Sequence, residues 1–113
     1  MSEFKNKIAL VTGAGAGIGR ATSVALSVKG AKVIVTDIDL ESGIKTVDKI
    51  KSKGGDAVFY KLDVSKHNEI KSVINKIFDI EGGLDYAVNN AGIGGMKGPI
   101  HSLDFKDWEN TLN

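Results

Sequence analysis

The stretch Lys7–Gly19, KIALVTGAGAGIG, decides the fold. Its first half, Lys7–Thr12, is a short apolar run with a β-branched tail, the pattern of a buried strand. Its second half, Gly13–Gly19, is glycine-rich. From Ile18 the apolar positions Ile18, Ala21, Thr22, Ala25 and Leu26 recur at helical spacing, which predicts a helix turned inward on that face. A strand that runs through glycines straight into a helix opens a βαβ unit. The helix N-terminus presents unpaired N–H groups and a partial positive charge, and glycines allow a phosphate close to the backbone. The plainer alternative is a tight βα turn that holds nothing.

Outward from that stretch the pattern repeats. Gly30 closes the first helix, and Lys32–Thr36 reads as a second strand. Asp37 at its end is placed to hydrogen-bond the ribose hydroxyls of an adenosine, or else to act as an extra cap for the helix that follows. Asp39 is the expected N-cap of that helix, with Leu40, Ile44, Val47 and Ile50 at helical spacing and Gly54-Gly55 at its end. Asp56–Leu62 is a third strand. Ser65 is expected to cap a third helix carrying Ile70, Val73, Ile74, Ile77 and Phe78 on one face, and Gly82-Gly83 ends it. Leu84–Val88 is a fourth strand. A loop with Gly92, Gly94, Gly95, Gly98 and Pro99 follows, and Asp104 opens a last helix with Phe105, Trp108 and Leu112. The order βαβαβαβα requires parallel strands with right-handed crossovers. The chain breaks off inside a helical pattern, so the domain is expected to continue past Asn113.

Composition narrows the function classes. The chain has 113 residues, one domain at most. A net charge of +1 supplies no field for nucleic acid or an acidic membrane surface. There is no cysteine, so disulfides and thiolate metal sites are excluded. No apolar run reaches the ~20 residues of a membrane span, and the N-terminus has no secretory apolar core, which together read as cytoplasmic. His67 and His101 lack ligand-like spacing, so no metal site is expected. His101, Ser102 and Asp104 are read as the start of the last helix rather than a catalytic triad.

The glycines fall as TGxxxGIG, with Gly13, Gly17 and Gly19, rather than as GxGxxG. Asp63-Val64 ends the third strand, and Asn89-Asn90-Ala91-Gly92 follows the fourth; LDYAVNNAGI over Leu84–Ile93, Pro99-Ile100 and Trp108 complete the pattern. In these motifs, across essentially its whole length, the chain resembles the short-chain dehydrogenase/reductase family. The resemblance implies a Rossmann-type α/β fold: a parallel sheet in the order 3-2-1-4 with helices on both faces. Residues 1–113 would then be a partial dinucleotide-binding domain whose second half is absent. It implies NAD as cofactor, a secondary alcohol or ketone as substrate, and a homo-oligomer. Gly13, Gly17, Ile18 (through its backbone N–H) and Gly19 would hold the pyrophosphate, and Asp37 the adenosine ribose. Asp63 would accept from the adenine amino group and Val64 N–H would donate to the ring. Asn89, Asn90, Ala91 and Gly92 would line the ribose on the nicotinamide side.

The family's chemistry uses Tyr-x-x-x-Lys with an earlier serine. The two tyrosines here, Tyr60 and Tyr86, are followed four residues on by Val64 and Asn90, so no catalytic residue is assigned. Asn113 also falls short of the family's helix asparagine. The 113 residues are therefore expected to be inactive alone; the alternative is a nucleotide-binding module or subunit without chemistry of its own. With nothing following to pair the fourth strand, its edge is expected to be bare, so that the 113 residues self-associate through it or by swapped elements, or other chain segments cover it.

Overall fold

A computed structural model of the chain describes residues 3–90 and the backbone of residues 101–103. The elements in order are β1 (Ile8–Val11), α1 (Gly17–Val28), β2 (Lys32–Asp37), α2 (Leu40–Ser52), β3 (Asp56–Lys61), α3 (His67–Glu81), β4 (Tyr86–Asn89) and β5 (His101–Leu103). They form one sheet in the order β3-β2-β1-β4-β5. The first four strands are parallel, as the alternation of strand and helix requires, and the expected 3-2-1-4 order is present. No helix among the described residues is long and apolar enough to cross a membrane.

The period-2 geometry of the strands sorts their apolar residues onto two faces. Leu10, Ile34 and Ala87 point to one side and pack with Ile70, Val73, Ile74 and Ile77 of α3. Val11, Val33, Val35, Ala57 and Val88 point to the other and pack with Val47 and Ile50 of α2 and with Val24 and Leu26 of α1. Burial on both faces is why these strands read as continuous apolar runs. The strand ends are stitched locally. Asp85 N donates to Ile8 O and the Asp85 carboxylate accepts from Ile8 N, so its side chain stands in for a ladder carbonyl just before β4.

The structure departs from the sequence expectation in four places. The inward face of α1 is not Ile18, Ala21 and Ala25, which are exposed, but Gly19, Ser23 and Ser27. Small residues bring the helix close to the sheet, and both serine hydroxyls donate within the helix, Ser23 to Gly19 O and Ser27 to Val24 O, so their burial leaves no donor unmet. Leu40 and Ile44 of α2 and Phe78 of α3 sit at the exposed margins of their apolar faces. Ser65 does not cap α3, whose N-cap is Lys66 without a side-chain bond; Asp63 captures both the N–H and the hydroxyl of Ser65 in a local turn. Residues 101–103 are a strand and not the start of a helix. They run antiparallel along Ala87–Asn89, so the outer side of β4, expected bare, is paired there within the chain. Asp104, Phe105, Trp108, Leu112 and the expected last helix lie outside the described residues.

Candidate functional site

The carboxyl ends of β1, β2, β3 and β4 converge beside the N-terminus of α1. Between β1 and β4 the chain switches the side on which it adds strands, the position where open α/β sheets form a crevice. Gly13 (φ 59°) and Gly17 (φ 56°) turn the chain through left-handed conformations on its way into α1. Gly19 serves a different need: a Cβ there would stand 2.0 Å from Gly13 O and 2.7 Å from Asn90 Nδ2. Only a residue without a side chain lets α1 begin so close to β1 and β4.

The loop is held by neighbouring strands. Ala14 N donates to Thr36 O (2.9 Å), and Asn90 Nδ2 donates to Gly13 O (3.2 Å). Thr12 at the end of β1 donates its hydroxyl to Asn89 Oδ1 (3.0 Å) and accepts from Asn90 N (2.9 Å). The start of α1 itself has no side-chain cap and no acid in its first turn. Its leading N–H groups and positive dipole end, at the same end of the sheet as the crevice, are thus uncapped by any side chain among the described residues.

Asp37 stands at the rim. Its Oδ2 accepts from Gly15 N (2.8 Å) and its Oδ1 from Asp39 N (2.9 Å), which fixes the carboxylate at both oxygens. Below it lies a cleft of about 140 Å³ lined by Gly13, Asp37, Ile38, Leu62, Asp63 and Val64. Apolar walls from Ile38, Leu62 and Val64 with a carboxylate on either side suit a flat heterocycle that carries hydroxyl or amino donors.

A family model for short chain dehydrogenases matches residues 7–113. The chain belongs to the short-chain dehydrogenase/reductase family. As a member of that family it is 37% identical over 99% of its length to a cyclohexanol dehydrogenase from an Acinetobacter species, and covers 45% of that protein. It is 40% identical over its whole length to a 3beta-hydroxysteroid dehydrogenase from Mediterraneibacter gnavus, and covers 41% of it. Among solved structures, a hydroxysteroid dehydrogenase from Escherichia coli superposes with a TM-score of 0.76 at 36% identity, over 83% of this chain and 40% of that one. The chain thus spans less than half the length of these dehydrogenases.

Within this chain the residues singled out from sequence gather at one end of the sheet. Gly13, Gly17 and Gly19 form the turn, and Ile18 presents its N–H in the first turn of α1 with its side chain exposed. Asp63 and Val64 line the cleft with Asp37. Asp63 Oδ1 accepts from Ser65 Oγ (2.6 Å) and Ser65 N (3.0 Å). That hydroxyl first, and then that N–H, holds the Asp63 carboxyl below the usual carboxylate range, so it is an acceptor at neutral pH. Asn89 and Asn90 brace β4 against Thr12 and Gly13. Ala91 and Gly92 lie outside the described residues. Beyond the residues expected from sequence, the site includes Gly15, whose N–H meets Asp37, and Ile38, which walls the cleft. Arg20 and Thr46, equally unexpected from sequence, hold the loop from α1 and α2. Gly15 was visible as one of the four glycines of Gly13–Gly19; Ile38 could have been read from its place directly after Asp37.

Proposed function

We propose that this chain forms the dinucleotide-binding part of an NAD-dependent oxidoreductase that acts on a secondary alcohol or its ketone. The carrying observation is the Asp37 carboxylate, held at both oxygens on the rim of the cleft beside the open N-terminus of α1. The residues fit such a cofactor. The uncapped helix start and the loop packed through Gly19 suit the pyrophosphate. Asp37 suits a diol at the adenosine ribose, and the cleft between Ile38 and Val64 suits adenine with Asp63 as acceptor. Asn89 and Asn90 stand on the side where the nicotinamide ribose would lie. The bound cofactor supplies or takes up the hydride; these residues bind and orient it. The secondary alcohol follows the two relatives above, named for alcohols whose hydroxyl sits on a ring carbon.

NAD is favoured over NADP by charge. A 2′-phosphate would bring negative charge against Asp37, and two unit charges ~4 Å apart at an effective dielectric of ~20 repel by about 4 kcal/mol, an upper figure for a rim position. Calorimetry on the full-length natural protein should show NAD binding more tightly than NADP, and Asp37→Asn should narrow that preference at least tenfold, the equivalent of ~1.4 kcal/mol. Equal or tighter NADP binding by the wild type, or an unchanged preference in the variant, contradicts the reading. The 113 residues contain no Tyr-x-x-x-Lys, so this stretch alone should bind NAD without turning over an alcohol. NADH formation by the purified 113-residue polypeptide, lost on Gly19→Val, would refute that part.

A further inference from the structure

Gly15 is held at both of its backbone groups, and the holder on one side is a cation. Its N–H donates to Asp37 Oδ2 (2.8 Å), while its carbonyl accepts from the Arg20 guanidinium. The same guanidinium donates to Ser42 O (3.3 Å), and Arg20 Nε donates to Thr46 Oγ1 (2.9 Å). Thr46 is fully buried, and its hydroxyl donates in turn to Ala14 O (2.8 Å). Arg20 and Thr46 thus clamp two successive carbonyls of the loop, Ala14 and Gly15, from the side away from the cleft. There is no slack between Gly15 and Asp37: a Cβ on Gly15 would stand 2.8 Å from Asp37 Oδ2 and 2.8 Å from Ser42 Cβ. A small shift of Gly15 must therefore move the carboxylate or break its bond.

We propose that Arg20, fixed by Thr46, is a positioning residue that sets Asp37 through Gly15 and so determines how strongly the protein discriminates between a ribose 2′-hydroxyl and a 2′-phosphate. The inference rests on the NAD-binding reading above. Its chemistry runs against the usual expectation for an arginine near a nucleotide. A guanidinium that met a 2′-phosphate would favour NADP, but this one is turned to neutral oxygens of the loop and of α2. Its fork geometry is what the three acceptors use, so lysine, with a single point of charge, does not replace it.

The test compares NAD and NADP affinities of the full-length natural protein as wild type, Arg20→Gln, Arg20→Lys, Thr46→Val, Thr46→Ser and Asp37→Asn. Arg20→Gln should weaken NAD binding and narrow the NAD preference about fivefold, the equivalent of one net hydrogen bond. Arg20→Lys and Thr46→Val should narrow it in the same direction, and Thr46→Ser should restore the wild-type ratio. In an Asp37→Asn background the effect of Arg20→Gln on the ratio should vanish, since both changes act on one contact. An NAD preference that widens in Arg20→Gln would mean that Arg20 attracts the 2′-phosphate, and overturns the proposal. So does a proportional loss of both affinities with an unchanged ratio, the mark of a brace alone. If Thr46→Val does not fold, the two Arg20 variants decide the matter. Failure of the underlying reading is distinguishable, because there the wild type shows no NAD preference or Asp37→Asn leaves it unchanged, and this overturns the proposal as well.

Discussion

Two helices start within the same end of this molecule and treat their first N–H groups in opposite ways. At α2, Asp39 caps the helix: its carboxylate accepts from Glu41 N (3.0 Å) and Ser42 N (3.4 Å) and from the Ser42 hydroxyl (2.9 Å). Glu41 adds a second acid to that first turn. At α1, Ala16 occupies the cap position with an extended backbone and no side-chain bond, and the first turn holds Gly17, Ile18 and Gly19 with no acid. Both helices run antiparallel to the parallel strands that precede and follow them, so their dipoles point the same way. The difference is that α2 satisfies its positive end from its own sequence, whereas α1 has no side-chain cap and no acid in its first turn, as the proposed pyrophosphate site requires. A helix forgoes a stabilising cap where the same N–H groups have another use.

The largest expected effect comes from closing the approach that exposes the α1 terminus. Gly19→Val places atoms where Gly13 O and Asn90 Nδ2 now stand. Dinucleotide affinity should fall about a hundredfold, near the upper end of overpacking costs of ~3 kcal/mol. Calorimetry reads the affinity, and circular dichroism verifies that the helices persist. A variant that retains helices and binds within a few-fold of wild type would separate this glycine from the site.

A smaller change would turn α1 into a second α2. Ala16 already has the extended conformation of an N-cap (φ −157°, ψ 168°), so Ala16→Asp should cap α1 and stabilise the fold by about 1 kcal/mol. The same carboxylate would compete for the N–H groups that a pyrophosphate needs and would repel it. NAD affinity should drop about tenfold while the thermal midpoint rises. The two readouts must move in opposite senses; a rise in both contradicts the division of roles.

The smallest effect belongs to α2. Asp39→Ala should lower the thermal midpoint and leave NAD affinity within about twofold, since Asp37 is bonded by the backbone N–H of residue 39 and not by its side chain. The Ser42 hydroxyl, and after it the Ser42 N–H, hold the Asp39 carboxyl below the usual carboxylate range. The folded state thus binds that proton less readily than the unfolded chain. The stabilisation is complete above the unfolded pKa of about 3.9 and is lost as pH falls through the lower folded value. The midpoint difference between wild type and Asp39→Ala should therefore be full at neutral pH and shrink in acid. A difference constant down to pH 2 would show that the carboxylate is not the cap.

The parallel architecture and much of the site were legible in the sequence because they rest on local signals. Apolar runs separated by helical spacing give the βα order, and the TGxxxGIG loop, Asp37 and Asn89-Asn90 each lie at a strand end. What was missed depends on contacts that residue type alone does not reveal, some within one turn and some between distant elements. The inner face of α1 is built from Gly19, Ser23 and Ser27, and buried serines look polar until their hydroxyls are seen to bond within the helix. The Arg20–Thr46 clamp joins α1 to α2 through a hydroxyl that composition cannot distinguish from any other threonine. Ser65 was a sound cap by residue type, but the nearer Asp63 carboxylate takes it. The strand at residues 101–103 is three residues long, too short for its alternation to mark it in the sequence.

The contrast between the two helix starts is tested most directly by amide NMR of the full-length natural protein titrated with NAD. The largest shifts should fall on the N–H groups of residues 13–19, with further shifts at Asp37, Ile38, Asp63 and Val64, while Glu41 and Ser42 at the capped start of α2 stay nearly still. Shifts at Glu41 and Ser42 as large as those at Gly17 and Gly19, or a spectrum unmoved at residues 13–19 under saturating NAD, would contradict the assignment of α1 as the anion-binding terminus.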